Sequence, residues 1–412
     1  MNTTQHTGPL RGCRVLELSS VIAGPFCGRL FADFGAEVIK VEPKEGDGVR
    51  SVGKRYQGKS LNAASILRNK SLVAIDLRTR EGQDIIRRIV PKCDVVIENF
   101  RPGALEKWGL GYDALSKINP GLIMVRISGY GQSGPYSQRP GFGVIAEAMS
   151  GLRHITGDPD RPPARVGVQL TDYITGLYAA FGAMMALYHR ARTGEGQYVD
   201  AALYECAFSF MEPHVPVFDK LGIVANRTGP AFADSAPNNL YPTHDGRYIH
   251  ISGMHEAVFK RLAGAMGRPE LASDPRFSTL IERNKHAAAI DDLVQRWTLE
   301  HTVDELEEKL GAADVPASRI YTLEDVFKDP HYRARNMLVE APDDDLGTVK
   351  LAAPVPRLSR TPGRIVKAGG RVGQHTRAVL AELAGMSDDE LDALERAGVI
   401  AHDQARNRKT VA

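Results

Sequence analysis

Short runs of consecutive apolar residues, rich in Val, Ile and Leu, alternate with segments of helical periodicity through the first half of the chain. Residues 14–18, 37–42, 71–77, 94–99 and 122–128 read as strands. Residues 26–34 read as a helix stopped by Gly35, and 81–89 as another. A long helix is predicted over about 173–192, ended at Gly194, with a strand at 197–201 and a helix after it. Uniformly apolar strands separated by helices predict a mostly parallel sheet covered on both faces, joined by right-handed connections. The fold class expected is α/β, with an open Rossmann-like sheet in a large domain.

Two shifts in composition break this rhythm. Residues 129–170 are dense in Gly, Pro, Ser and Arg, as a long functional loop is, and 212–245 are again rich in Pro, Gly and Asn. They divide the chain into 1–212, the first part of a large domain, 213–325, a linker with a smaller α+β domain, and 326–412, a return to the large domain. In the middle part a strand at 247–252 follows the Asp245-Gly246 turn, with helices near 255–266, 284–299 and 303–310. Amphipathic helices are expected near 373–384 and 388–397, with a frayed polar end from His402.

Composition narrows the function classes. A chain of 412 residues, 43% hydrophobic and 25% charged, is that of a soluble globular protein. Lys and Arg number 52 against 50 Asp and Glu, so no long-range field steers the chain onto nucleic acid or an anionic membrane. Cys13, Cys27, Cys93 and Cys206 form no CxxC pair, which argues against a disulfide scaffold or structural zinc and suits a reducing cytoplasm. Residues 1–10 lack the apolar core of a signal peptide. Residues 173–189 carry no formal charge and reach the short limit of a membrane span, but Gly176, Gly182 and three tyrosines favour a buried helix of a soluble core.

Candidate chemistry is sparse. Gly129-Tyr-Gly131-Gln-Ser-Gly134 matches GxGxxG after a strand, but Pro135 follows where a dinucleotide site needs a helix to open. The motif reads instead as a glycine loop that a ligand can approach closely. There is no HExxH or GxSxG sequence, and His244, His250 and His255 are not spaced to converge on a metal. Asp172 precedes the long apolar helix and has two compatible readings. It is a helix N-cap, or an ionised carboxylate beside a glycine loop, able to attack an activated carbonyl. Lys40, Lys44, Arg50, Arg78, Arg101 and Lys107 follow strand ends, where a cluster of cations would bind phosphates and single ones are solvated charges.

Taken in order, several segments resemble the class III CoA-transferases, the formyl-CoA transferase-like family. They are Arg14-Val-Leu-Glu-Leu-Ser-Ser-Val-Ile-Ala-Gly24-Pro25, Phe34-Gly-Ala-Glu-Val-Ile-Lys-Val-Glu-Pro43 and Glu98-Asn-Phe-Arg-Pro-Gly103. The 129–141 glycine loop, the Asp172 segment, Thr193-Gly-Glu-Gly-Gln-Tyr-Val-Asp200, Asp329-Pro-His331 and Gly373-Gln-His-Thr376 follow in family order. The resemblance implies a ring-shaped monomer in an interlocked homodimer, with Asp172 as catalytic aspartate. It places coenzyme A, a co-substrate rather than a tightly bound cofactor, along Val21, Ile22, Ala23, Arg78, Asn99, Phe100, Arg101, Ala104 and Lys107. Gly151-Leu-Arg-His-Ile-Thr-Gly157 most resembles the dicarboxylate-using branch, the succinate–hydroxymethylglutarate type. Gly131, Arg153, His154 and Arg165 are then candidates for contacting the acyl group, with succinyl-CoA as donor.

The alternatives implied are an acyl-CoA racemase of the same family and a non-catalytic CoA-binding protein. A racemase histidine would fall at Phe142, which exchanges no proton. Gly143, the next residue, departs from the acidic residue usual in the family.

Overall fold

The computed structural model describes residues 8–403. They form two compact units. The first joins the chain up to Leu152 with Val166–Leu221 and the part from Arg335; the second comprises Arg153–Arg165 and Gly222–Ala334.

In the first unit, β1 (Arg14–Glu17), β2 (Glu37–Glu42), a short hairpin of β3 (Arg55–Tyr56) and β4 (Lys59–Ser60), β5 (Ser71–Ile75), β6 (Val95–Glu98), β7 (Ile123–Ser128) and β8 (Tyr198–Ala202) follow in chain order. In the second, β9 (Asn238–Pro242), β10 (Tyr248–Ser252) and β11 (Ala317–Arg319) make an antiparallel sheet. Its core gathers Tyr241, Ile249, Ile251, Phe259 and Leu306. Back in the first unit, β12 (Leu338–Asp343) pairs with β13 (Gly347–Ala352), and β14 (Ile400–Ala401) ends the described chain.

The main sheet runs β14-β5-β2-β1-β6-β7-β8. All its pairs are parallel except β14 against β5, where Ile400 faces Ile75. Strand order grows outward from β1 to β2 and β5, then returns to β6 on the other side. That places the topological switch point between β1 and β6, where α/β sheets bind ligands beyond the strand ends. The apolar runs are buried on both faces, and Leu16, Val73 and Val96 pack on one side while Val15, Val38 and Val125 pack on the other.

Helices α1 (Ala23–Asp33), α2 (Leu61–Ile66), α3 (Arg80–Ile89), α4 (Ala104–Lys107) and α5 (Tyr112–Ile118) fill the early connections. Helix α6 (Gly143–Met149) lies inside the stretch expected to be loop throughout. Helix α7 (Leu170–Thr193) is not buried all round, as its uncharged sequence suggested. Thr175, Gly176, Ala179, Ala183 and Ala186 form a buried stripe, while Leu177, Phe181, Met185 and Tyr188 are exposed. Small residues let α7 approach its neighbours closely, so the large apolar side chains are left facing outward. None of the described helices is long and apolar enough to cross a membrane. The polar end expected to fray from His402 is anchored there, since His402 contacts Glu395; residues 404–412 lie outside the described chain.

Candidate active site

The loop after β1 is shaped by strain held in place. Val21 has φ +70°, a left-handed conformation that a β-branched residue adopts at a cost of about 1–3 kcal/mol. Asn99 holds the neighbouring peptide from both sides: its Oδ1 accepts from Ser20 N at 2.8 Å and its Nδ2 donates to Ser20 O at 2.8 Å. Val21 N donates to Asp47 Oδ1 at 3.0 Å. Asn99, expected to contact CoA, therefore braces the loop that carries Val21, Ile22 and Ala23.

Beneath the loop lies a buried charged network. Lys40 Nζ contacts Asp47 Oδ2 at 2.7 Å and donates to Ser19 O, with Glu17 Oε1 at 3.6 Å. Lys70 Nζ donates to Glu17 Oε2 and to Pro25 O, both at 2.7 Å. Burial opposes charge on Lys40, but Asp47 and Glu17 outweigh it and hold the lysine above its ordinary range. Burial likewise works against the Asp47 carboxylate, and the Lys40 ammonium holds it below the usual range. Lys40, only 1% exposed, is thus no phosphate ligand: it neutralises carboxylates under the sheet's end. Arg50 is likewise engaged, bound through two nitrogens to Glu42 at 2.8 Å each.

At the carboxyl ends of β1, β2 and β5 a cleft of about 540 Å³ opens, lined among others by Ser19, Ser20, Leu77, Arg78, Phe100 and Trp108. Phe100 packs edge-on against Trp108, with ring centroids 5.3 Å apart. Its backbone N–H donates to Glu98 Oε2 at 2.8 Å, while Glu98 Oε1 accepts from Arg126 at 2.9 Å and Arg126 reaches Glu106 on α4 at 2.7 Å. This chain fixes Phe100 together with α4, which bears Ala104 and Lys107. Burial pushes Glu98 up to about 7 against the pull of Arg126. Of the expected CoA residues, Arg78 and Phe100 line the cleft. Ile22 and Ala23 are buried, Val21 and Ala104 half-buried, and Arg101 and Lys107 exposed. The Arg78 side chain is 72% exposed and bonded to Asp76 at 2.7 and 2.8 Å. Ser19 was missed by sequence reasoning. Its buried hydroxyl has no hydrogen-bond partner among the described residues and sits on the cleft wall.

Asp172 is the third residue of α7, which opens at Leu170 after Gln169. It is not the N-cap, because helical backbone begins two residues before it. Its carboxylate instead lies against Gly143, the first residue of α6: a Cβ built on Gly143 would sit 2.1 Å from Asp172 Oδ2. Two helix amino ends therefore meet at this half-buried carboxylate, and both favour a negative charge. One turn further along α7, Gly176 packs against the start of α1, where a Cβ would lie 2.6 Å from Ala23 O. Tyr173 meets Phe26 edge-on at 4.8 Å. These contacts bring the first turn of α7 to the same loop that Asn99 and Asp47 hold. Thr171 Oγ1 and Glu147 Oε1, on buried residues of α7 and α6, have no hydrogen-bond partner among the described residues and were not foreseen.

The expected acyl-group residues are distributed differently. Gly131 is buried at the end of β7 with φ +87°, its N–H donating to Ser128 Oγ at 2.9 Å. No helix opens on its glycine motif; the next is α6. Arg153, His154 and Arg165 belong to the second unit. There the His154 carbonyl accepts from Arg227 Nη1 at 3.0 Å, and His154 and Arg165 are exposed while Arg153 is half-buried. Phe142 is 70% exposed beside Gly143.

The fold and site define a doubly wound α/β protein with a ligand cleft at its switch point and a carboxylate set between two helix ends. A sequence model of CoA-transferase family III matches residues 10–376. Succinyl-CoA–D-citramalate CoA-transferase of Chloroflexus aurantiacus is 48% identical over 402 residues, covering 97% of this chain and 100% of that one. The beta subunit of succinyl-CoA–L-malate CoA-transferase from the same organism is 43% identical over 405 residues, with 97% and 100% covered. A solved CAIB/BAIF family protein from Brucella suis matches with a TM-score of 0.82 at 36% identity, over 92% of this chain and 100% of that one. The chain belongs to CoA-transferase family III, and it is a CoA-transferase.

Proposed function

We propose that this enzyme moves CoA from succinyl-CoA to a second dicarboxylic acid, with Asp172 as the acyl carrier. The two relatives above are named for succinyl-CoA and for citramalate or malate, both 2-hydroxydicarboxylates, and an acceptor of that class is our reading for this chain. The observation that carries the assignment of Asp172 is the seat of its carboxylate against Gly143, at the meeting of two helix amino ends.

In this mechanism an Asp172 oxygen attacks the thioester carbonyl, the C–S bond breaks, and a mixed succinyl–aspartyl anhydride forms with CoA thiolate. The thiolate attacks the aspartyl carbonyl, releasing succinate and leaving an aspartyl-CoA thioester. The acceptor carboxylate attacks that thioester, and the returning thiolate collapses the second anhydride at the acceptor's carbonyl. At every step one acyl group, that of the donor, of Asp172 or of the acceptor, stays activated, provided water is excluded.

The nucleotide end of CoA is assigned to the cleft of Arg78 and Phe100, with Arg101 and Lys107 supplying charge for its phosphates. Val21, Ile22, Ala23, Asn99 and Ala104 shape its path. The acceptor's second carboxylate needs a cation, for which Arg153, His154 and Arg165 are the candidates, with Gly131 in the glycine loop. A panel assay tests this reading: succinyl-CoA with malate, citramalate, glutarate and monocarboxylates, followed by chromatography of the CoA esters. New dicarboxyl-CoA supports it, and transfer confined to monocarboxylates refutes it.

We further propose a cytoplasmic homodimer of interlocked, ring-shaped protomers. The exposed apolar face of α7 and the adjoining groove of about 390 Å³, lined by Leu30, Phe34, Leu177, Phe181, Met184 and Val355, are what a second copy would cover. Light scattering that returns a monomer mass would refute the dimer. The four cysteines are free thiols, as a reducing compartment keeps them.

A further inference from the structure

Lys367 and His375 face one another on the segment leading into the helix Thr376–Ala384. Lys367 Nζ lies 3.1 Å from His375 Nε2. The other ring nitrogen, Nδ1, accepts a hydrogen bond from Leu72 N at 3.0 Å. A neutral imidazole carries one proton for its two nitrogens. Acceptance at Nδ1 puts that proton on Nε2, aimed at Lys367 Nζ. The lysine accepts it only if its nitrogen has a lone pair, so it must be an uncharged amine. An ammonium would instead require a ring with no proton at all, and a doubly protonated ring would lose the Leu72 bond and place two cations 3.1 Å apart.

The surroundings agree with this geometry. Burial pushes Lys367 down, opposed by Asp344 on the β12–β13 turn. Asp344 is already engaged, accepting from Gln374 Nε2 at 2.6 Å. Burial holds His375 down to about 4, so its ring is neutral in neutral solution. Asn69 Oδ1 accepts from the backbone N–H of Val366 at 2.8 Å and of Lys367 at 3.3 Å, which fixes the segment. Lys367 is half-buried rather than sealed.

We propose that Lys367 is a standing amine nucleophile and an acylation site, taking acyl groups from small thioesters. The nitrogen lone pair leaves the His375 Nε2–H and attacks the thioester carbonyl carbon. A C–N bond forms, the C–S bond breaks, and the departing thiolate takes the proton shed by nitrogen. The products are an amide at Lys367 and a free thiol. The amide nitrogen no longer accepts from Nε2–H, so acylation removes the tie between residues 367 and 375.

The test uses the full chain carrying Asp172→Ala, which keeps transferase turnover out of the readout, incubated with succinyl-CoA at about pH 7.5. Peptide mass spectrometry follows acylation of each lysine. Each unit by which the amine lies below an ordinary lysine gives a tenfold larger reactive fraction. Lys367 is therefore expected to react several-fold faster than the exposed Lys54 and Lys260. Its rate should level off at a pH below the ordinary lysine range. An unmodified Lys367, or one that reacts no faster than Lys54 and rises with it, overturns the proposal. Lys367→Arg should retain transferase activity. His375→Gln should erase the preference, and a preference that persists contradicts the role given to His375. Should His375→Gln fail to fold, the pH profile of the chain with His375 intact decides alone.

Discussion

The carboxylate of Asp172 occupies the space that a side chain at Gly143 would need: a Cβ there would lie 2.1 Å from Oδ2 and 2.8 Å from the carboxyl carbon. The absence of a side chain at Gly143 is what allows this seat. An acidic side chain at 143 would displace Asp172, and would set a second negative charge beside it.

Gly143→Ala should therefore disable the enzyme without unfolding it. The methyl group must push the carboxylate aside by an ångström or more, and a displacement of that size in a reacting group costs about a hundredfold in rate. Steady-state kinetics should show kcat falling by that order, with a melting temperature close to that of the parent. A kcat within a few-fold of the parent would contradict the seat assigned to Asp172.

Asn99→Ala removes both bonds that hold the Ser20 peptide and releases the strained Val21. A loosened loop should weaken binding of the CoA ester more than it slows the chemistry. KM for succinyl-CoA is expected to rise by roughly tenfold, the equivalent of about 1.4 kcal/mol, with kcat changing less. An unchanged KM would show that the loop holds its shape without Asn99.

Lys40→Ala separates structure from binding. Removing one partner of a buried ion pair leaves an uncompensated charge and costs about 3–5 kcal/mol. Asp47 and Glu17 are the carboxylates stranded here. Chemical denaturation should show a loss of that size. A variant that keeps its stability and loses only CoA affinity would restore Lys40 as a phosphate ligand.

Stability should also depend on pH through His375, whose pKa in the folded chain is held down to about 4 by burial. Between that value and about 6.5 the unfolded chain binds the proton and the folded one does not, so stability rises with pH across the window. The contribution is complete above about pH 6.5 and falls away as pH drops towards 4, amounting to about 3 kcal/mol. Denaturation midpoints of the parent and of His375→Gln, measured from pH 4 to 7, should converge at the acid end. Parallel curves would rule His375 out as the source.

Much of the sheet was legible because its signal is local. The apolar run at 37–42 coincides with β2, and the strands at 14–18, 71–77 and 122–128 differ from the structure only at their ends. Helix α6 was not legible: it is seven residues long, follows Pro140-Gly141, and is preceded by Phe142, which gives no side-chain cap. Lys40 looked like a strand-end cation because its partners, Glu17 and Asp47, are brought to it only by β1 pairing with β2 and by the loop beyond. Asp172 could be picked out as a carboxylate at a helix start, but its orientation depends on a helix begun 29 residues earlier, and no local pattern encodes that.

The central claim is that Asp172 carries the acyl group. Incubation with succinyl-CoA without acceptor, quenching with borohydride and peptide mass spectrometry test it most directly. The account predicts reduction of the Asp172 side chain to an alcohol, dependent on succinyl-CoA and absent from Asp172→Ala. An enzyme that turns over once acceptor is added, while every Asp172 peptide of the acceptor-free sample stays unmodified, would contradict it.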